Sequence, residues 1–157
     1  KASRGENLLF LHADTQLPGD AKSIIETALS NQRVVGGRFN VRFDSPSMWA
    51  TIISNMMNWR SRLSGIATGD QALFVRRSIF EQMGGFADMP LMEDIDFSRR
   101  LKRKGATAAL TATVTTSFRR WERHGPLRTI LLMWALRFLY WIGISPSHLI
   151  EWYKAVR

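Results

Sequence analysis

His12 and Asp14 stand two residues apart, directly after the apolar run Leu8-Leu9-Phe10-Leu11. A continuous apolar run bounded by polar residues is the pattern of a strand buried on both faces. In open α/β sheets ligands bind beyond the carboxyl ends of the strands, which is where a ligand-holding carboxylate belongs. If extended geometry continues past the run, residues 12 and 14 point the same way, and an imidazole and a carboxylate can share one cation. A hard divalent ion, Mg²⁺ or Mn²⁺, suits one carboxylate plus substrate phosphate oxygens. The same spacing equally suits an Asp14 that only caps the turn leading to Pro18-Gly19-Asp20.

Glu93-Asp94 opens a second candidate stretch. On a helix, Phe97 and Leu101 share one face; Asp94 lies about 40° from its centre and Asp96 about 120° away. Asp94 is thus aimed toward the interior or a cleft edge, and Asp96 toward water. A carboxylate held at a cleft can take a proton from a hydroxyl nucleophile. Acids in a first helical turn are also ordinary partners of the helix dipole, and spacing does not separate the two readings. The third stretch is Arg119-Arg120-Trp121-Glu122-Arg123-His124. Its arginines could neutralise a phosphate or pyrophosphate in bidentate geometry, and its indole could wall a pocket. A solvated basic loop has the same composition.

These residues need a frame. Ala21, Ile24, Ile25, Ala28 and Leu29 make one helical stripe, and Trp49, Ile52, Ile53, Met56 and Leu63 predict a second helix over 47–63. Phe39, Val41 and Phe43 alternate with Arg38, Asn40 and Arg42 in a strand. Further strands are predicted at 72–75 and 107–116, a short helix from Ser78 to Gly84-Gly85, and a helix from Glu93 stopped by Gly105. Apolar helices follow at about 127–142 and 146–156, the last started by Ser145-Pro146. Strands alternating with helices predict an α/β domain with a largely parallel sheet. The longest uncharged span after Leu127 runs only from Thr129 to Leu136, far short of the ~20 residues that cross a bilayer. Arg128 and Arg137 fall on opposite sides of that helix and leave no clean polar face. The neighbouring basic residues with Trp134, Tyr140 and Trp141 suit a membrane-lying helix, and the apolar stretch equally suits a core or subunit-interface one.

The chain has 157 residues, 45% of them hydrophobic and 22% charged, which is globular composition. It has no cysteine, which excludes disulfide scaffolds and thiol nucleophiles. Net charge is +9, and residues 99–128 alone carry +8, which places something anionic nearby. No secretory signal is visible. The opening KASRGEN reads as the tail of a helix and a turn, as though the chain begins inside a domain.

Four segments, LLFLHADTQLP (8–18), TGDQALFVRRSIFEQMGGF (68–86), LMEDIDFSRRLKRKG (91–105) and SFRRWERHG (117–125), together resemble a family-2 glycosyltransferase of the GT-A fold. The likeness is greatest to the subgroup found beside radical-SAM enzymes. It implies a mostly parallel Rossmann-like sheet, N-terminally incomplete, over 1–125, with apolar helices at 126–157 packing on that domain or on a membrane. It also implies roles. Asp14, with His12 and His124, would bind the divalent metal; Asp94 would be the general base beside Glu93; Gly69 and Asp70 would line the acceptor side. Arg119, Arg120 and Trp121 would meet the donor phosphates, although Ser117 stands where the family has Gln. The implied reaction moves a sugar from a nucleotide-sugar donor to an acceptor hydroxyl with inversion.

The implied location is cytoplasmic and peripheral, at the inner face of the membrane. A sheet lacking its first strands would leave the Leu8 strand edge bare, inviting a homodimer and weakening sugar-nucleotide binding by this chain alone. A basic nucleic-acid module and a non-catalytic fragment are the rival readings. The first accounts for the charge but leaves Glu93-Asp94 without a purpose, so no specific nucleic acid is expected.

Overall fold

The computed structural model describes residues 3–156. The expected helix tail at the start falls partly outside them, and residues 3–6 carry no regular structure. Five strands follow: β1 (Asn7–Phe10), β2 (Thr15–Gln16), β3 (Val34–Phe43), β4 (Leu73–Arg76) and β5 (Ala106–Thr116). Between and after them lie α1 (Ala21–Ser30), α2 (Met48–Ser64), α3 (Arg77–Gln82), α4 (Glu93–Lys102), α5 (Arg119–His124), α6 (Pro126–Trp141) and α7 (Pro146–Val156). A 3₁₀ turn, Gly69–Gln71, precedes β4.

The strands lie in one sheet of order β1-β4-β3-β5-β2. Only β3 and β5 run parallel; β1–β4, β3–β4 and β2–β5 are antiparallel. The sheet curls into a half-barrel. The expected mostly parallel, Rossmann-like GT-A sheet is therefore corrected, and with it the likeness to family-2 glycosyltransferases, which this sheet does not support. The physical reason lies in the connections. Alternation of strand and helix gives element order but not strand direction, and the segment through α2 and the 3₁₀ turn returns β4 against β3 instead of crossing over beside it. β1 lies at one edge of the sheet, and of its four residues only Leu8 is buried, where the apolar run predicts a strand buried on both faces.

Both faces of the sheet are covered. Ala21, Ile25 and Leu29 of α1 pack on Phe39, Val41, Phe74 and Val114. On the other face Phe97 and Leu101 of α4 meet Leu8, Val35, Leu73 and Val75. Phe10, Phe80, Phe86 and Phe97 form a ring cluster with centroids 4.5–6.3 Å apart, which pins the end of β1 to α3 and α4. Gly37 is required at the sheet centre, since a Cβ there would strike the Ala108 carbonyl and the Phe74 ring.

Arg38 is buried, its Nη1 donating to the Phe39 carbonyl and the Asn40 amide oxygen. Burial, with Arg62 beside it, lowers its pKa to about 10. Beyond Arg38 the β4-side edge of β3 has no strand beside it; instead the Asn58 amide of α2 accepts from Val41 N and donates to Val41 O, both at 2.9 Å. α6 and α7 close one end of the molecule, Leu136, Leu149 and Tyr153 packing on Met92 at the head of α4.

Candidate functional site

Past β1 the chain does not stay extended. Thr15 N donates to the His12 carbonyl at 3.1 Å, closing a turn with Asp14 at its tip. The extended geometry on which a cation shared by His12 and Asp14 is conditioned therefore does not continue past β1. The imidazole turns instead to the 3₁₀ turn, where its Nδ1 lies 3.1 Å from Asp70 Oδ1. It rests on Gly69, where any Cβ would run into the ring. That hydrogen bond raises the His12 pKa above 6.5; burial opposes the shift, and the charges of Asp70, Asp14 and Asp94 add to it.

Asp94 is fixed by two backbone donors. Gly69 N reaches its Oδ2 at 2.9 Å and Ile95 N its Oδ1 at 2.7 Å. The first ties the head of α4 to the 3₁₀ turn across 25 residues of sequence. Asp96, expected toward water, is half-buried, and Arg100 Nε donates to it at 2.7 Å. Two non-glycine residues in the left-handed region frame these acids: Ala72 at φ 47° follows Asp70, and Met92 at φ 71° precedes Asp94. Such backbone costs on the order of 1–3 kcal/mol and persists only where packing enforces it. Here Ala72 is wholly buried and Met92 nearly so.

His12, Asp14, Gly69, Asp70, Glu93, Asp94, Arg120 and Trp121 line one cleft of about 260 Å³. Trp121 is held there by stacking on Phe118, their ring planes 12° apart. The Phe118 backbone N–H donates to Asp44 Oδ1 at 2.8 Å. Arg119 and His124 lie instead in an adjoining open groove, which Asp14 and Arg120 also line. Residues 99–128 therefore do not face one anion. Arg100 donates to Met83 O and Gly85 O, and Lys102 to Ser64 O, at the far end of an α4 that is roughly 15 Å long. Only Arg119, Arg120, Arg123 and His124 belong to the cleft and its groove.

The C-terminal helices supply walls that the motifs did not foretell. Met133 and Arg137 of α6 and Tyr153 of α7 line the cleft. Their one signal in the sequence was Arg137 itself, a charge in a long apolar run.

Among the described residues no three His, Asp or Glu side chains are placed to hold a metal ion. The expected set of Asp14, His12 and His124 is therefore not an assembled centre. What remains fits a looser attachment. Asp14 is exposed, has no hydrogen-bond partner among the described residues, and lines both the cleft and the arginine groove. One carboxylate, completed by water and ligand phosphates, is what Mg²⁺ accepts. Comparison with family models, with curated proteins and with solved structures finds no match.

Proposed function

We propose that this cleft catalyses group transfer from a diphosphate-activated donor to an acceptor hydroxyl, the donor to test being a nucleotide-sugar. The observation that carries the reading is the placement of Asp94, backbone-fixed, in the same cleft as Asp14 and Arg120. Asp94 takes the proton of the acceptor hydroxyl while the acceptor oxygen bonds to the anomeric carbon from the face opposite the leaving group. The bond from that carbon to the diphosphate oxygen breaks and its electron pair leaves with the diphosphate, so the configuration inverts. Arg120, and Arg119 in the adjoining groove, offer fixed positive charge to the leaving diphosphate. A divalent ion held through Asp14 would, when bound, supply further charge neutralisation there. Gly69 brings the 3₁₀ turn close enough to orient Asp94, and Asp70 holds the His12 ring on the acceptor side. The exposed apolar side chains of α2 and α6 support a lipid surface as the place of work.

The test is release of nucleoside diphosphate from a panel of nucleotide-sugars with Mg²⁺ or Mn²⁺. Asp94→Asn should slow release by about 10²-fold or more while leaving donor affinity within a few-fold. Release that is unchanged in Asp94→Asn, or absent with every donor, ends the reading.

A further inference from the structure

A second cavity, of about 280 Å³, lies between α2 and α6, and most of its lining surface is apolar. Ile53, Met56, Met57 and Trp59 form one wall; Ile130, Met133 and Trp134 form the other. Its size is near the lower end of the roughly 300–1,000 Å³ of small-molecule clefts, room for a single chain. Of its three guanidinium groups, Arg120 is exposed, and Arg60 and Arg137 stand half-buried in these walls. Neither has an ion-pair partner among the described residues. Arg60 Nη2 is buried without a hydrogen-bond partner among the described residues. A buried donor left unpaired costs about 1–3 kcal/mol, more when charged, so an anion arriving there gains what the free protein lacks. Burial, together with the charge of Arg137, depresses the Arg60 pKa to about 10, which leaves it protonated near neutrality. The Arg137 pKa is lowered by burial, against the opposing charges of Asp94 and Asp70.

The cavity is continuous with the carboxylate cleft. Thr68, Asp70, Arg120, Trp121, Met133 and Arg137 line both. An apolar trough that ends on two arginines beside a carboxylate cleft has the polarity of a molecule with a greasy tail and an anionic head.

We propose that the α2/α6 trough binds the apolar chain of an anionic amphiphile, with its head group on Arg60 and Arg137. The inference rests on the transfer reading only in making this amphiphile the acceptor, whose hydroxyl next to the head lies toward Asp94. Binding itself stands on the trough alone. The head is a phosphate monoester or a carboxylate, the groups a guanidinium fork matches.

Dodecyl phosphate below its micelle concentration is the probe, titrated by calorimetry and by the fluorescence of Trp59 and Trp134 at the mouth. Saturable one-to-one binding is expected. Inorganic phosphate, a head without a tail, and dodecyl maltoside, a tail without charge, should each bind at least about tenfold more weakly. Arg137→Gln should weaken dodecyl phosphate by a similar factor. Should that buried substitution unfold the protein, Met56→Glu on the exposed rim places a like charge at the entrance and should weaken the same ligand. Equal affinity for the maltoside, no saturation below the micelle concentration, or indifference to Met56→Glu overturns the proposal. A protein that binds dodecyl phosphate as described yet releases no nucleoside diphosphate sinks the transfer reading and leaves the amphiphile site standing.

Discussion

The imidazole of His12 senses three of the four acids that line the cleft, which makes it a natural reporter. From its own turn it faces Asp14, from the 3₁₀ turn Asp70, and from α4 Asp94. All three favour the charged ring; only burial works against it. Because the folded-state pKa lies above the unfolded value of 6.5, the stabilisation from this pairing is complete below pH 6.5. It is lost as pH rises through the folded pKa. A proton NMR titration of the His12 ring should therefore show a midpoint above 6.5 that falls toward it in Asp70→Asn. A midpoint unmoved by that substitution would show that the hydrogen bond is not the cause. Gly69→Ala tests the same geometry from the other side. Its methyl must displace the ring, so the His12 midpoint should shift and the bond from Gly69 N to Asp94 should loosen. His12 and Asp70 are 58 residues apart, and nothing in the spacing of either announces their contact.

At the scale of elements, the 3₁₀ turn that presents Gly69 and Asp70 is anchored by a buried amide. Gln71 is fully buried; its Nε2 donates to Ser61 Oγ at 2.9 Å and to Asn58 Oδ1 at 3.4 Å, while its Oε1 accepts from Thr68 N at 3.3 Å. Asn58 in turn holds Val41, so the turn, α2 and the free edge of β3 are one connected unit. Gln71→Leu keeps the volume but orphans these partners, and should cost about 1–3 kcal/mol. That is a fall in melting temperature of roughly 2–4 °C per kcal/mol for a domain near this size. A change inside about 0.5 kcal/mol would mean that solvent replaces the network.

Much at this scale was readable beforehand. The 3.6-residue stripe of α1, the helical spacing that begins α2 near residue 47, and the acids that open α4 are local chemistry, and each appears where its pattern lies. The left-handed backbone at Met92 was not readable. It depends on Leu136, Leu149 and Tyr153 arriving from helices more than 40 residues on.

At the scale of the whole molecule, what escaped the sequence was direction and coverage. Apolar runs and turns locate strands, but whether β4 lies parallel or antiparallel to β3 is decided by how α2 packs back, a long-range matter. Coverage is a long-range matter in the same way. Trp49, Ile52, Ile53, Met56 and Leu63 form one helical apolar arc by spacing, yet α2 buries Ile53 against Phe43 and Phe118 and leaves Ile52, Met56, Trp59 and Leu63 outside. On α6, Leu127, Leu131, Trp134, Phe138 and Trp141 repeat at intervals of three and four and are all more than half exposed. Isolated exposed apolar residues are ordinary, but a contiguous face flanking one opening marks a contact surface. No helix of the described residues is long and apolar enough to cross a membrane. Tryptophans around the rim favour the headgroup boundary, where an apolar ring with a polar N–H is at home. The protein should therefore co-sediment with vesicles of mixed neutral and anionic phospholipid, with a blue shift in tryptophan emission. Trp134→Glu combined with Phe138→Glu should lower partitioning by more than about tenfold, since each side chain forfeits on the order of 1.5–3 kcal/mol of apolar transfer. The competing occupant is a second copy, and it gives a different signature. A dimer in sedimentation equilibrium that the same double substitution dissociates, with no vesicle binding by the parent protein, assigns the face to protein contact and removes the lipid surface from the account.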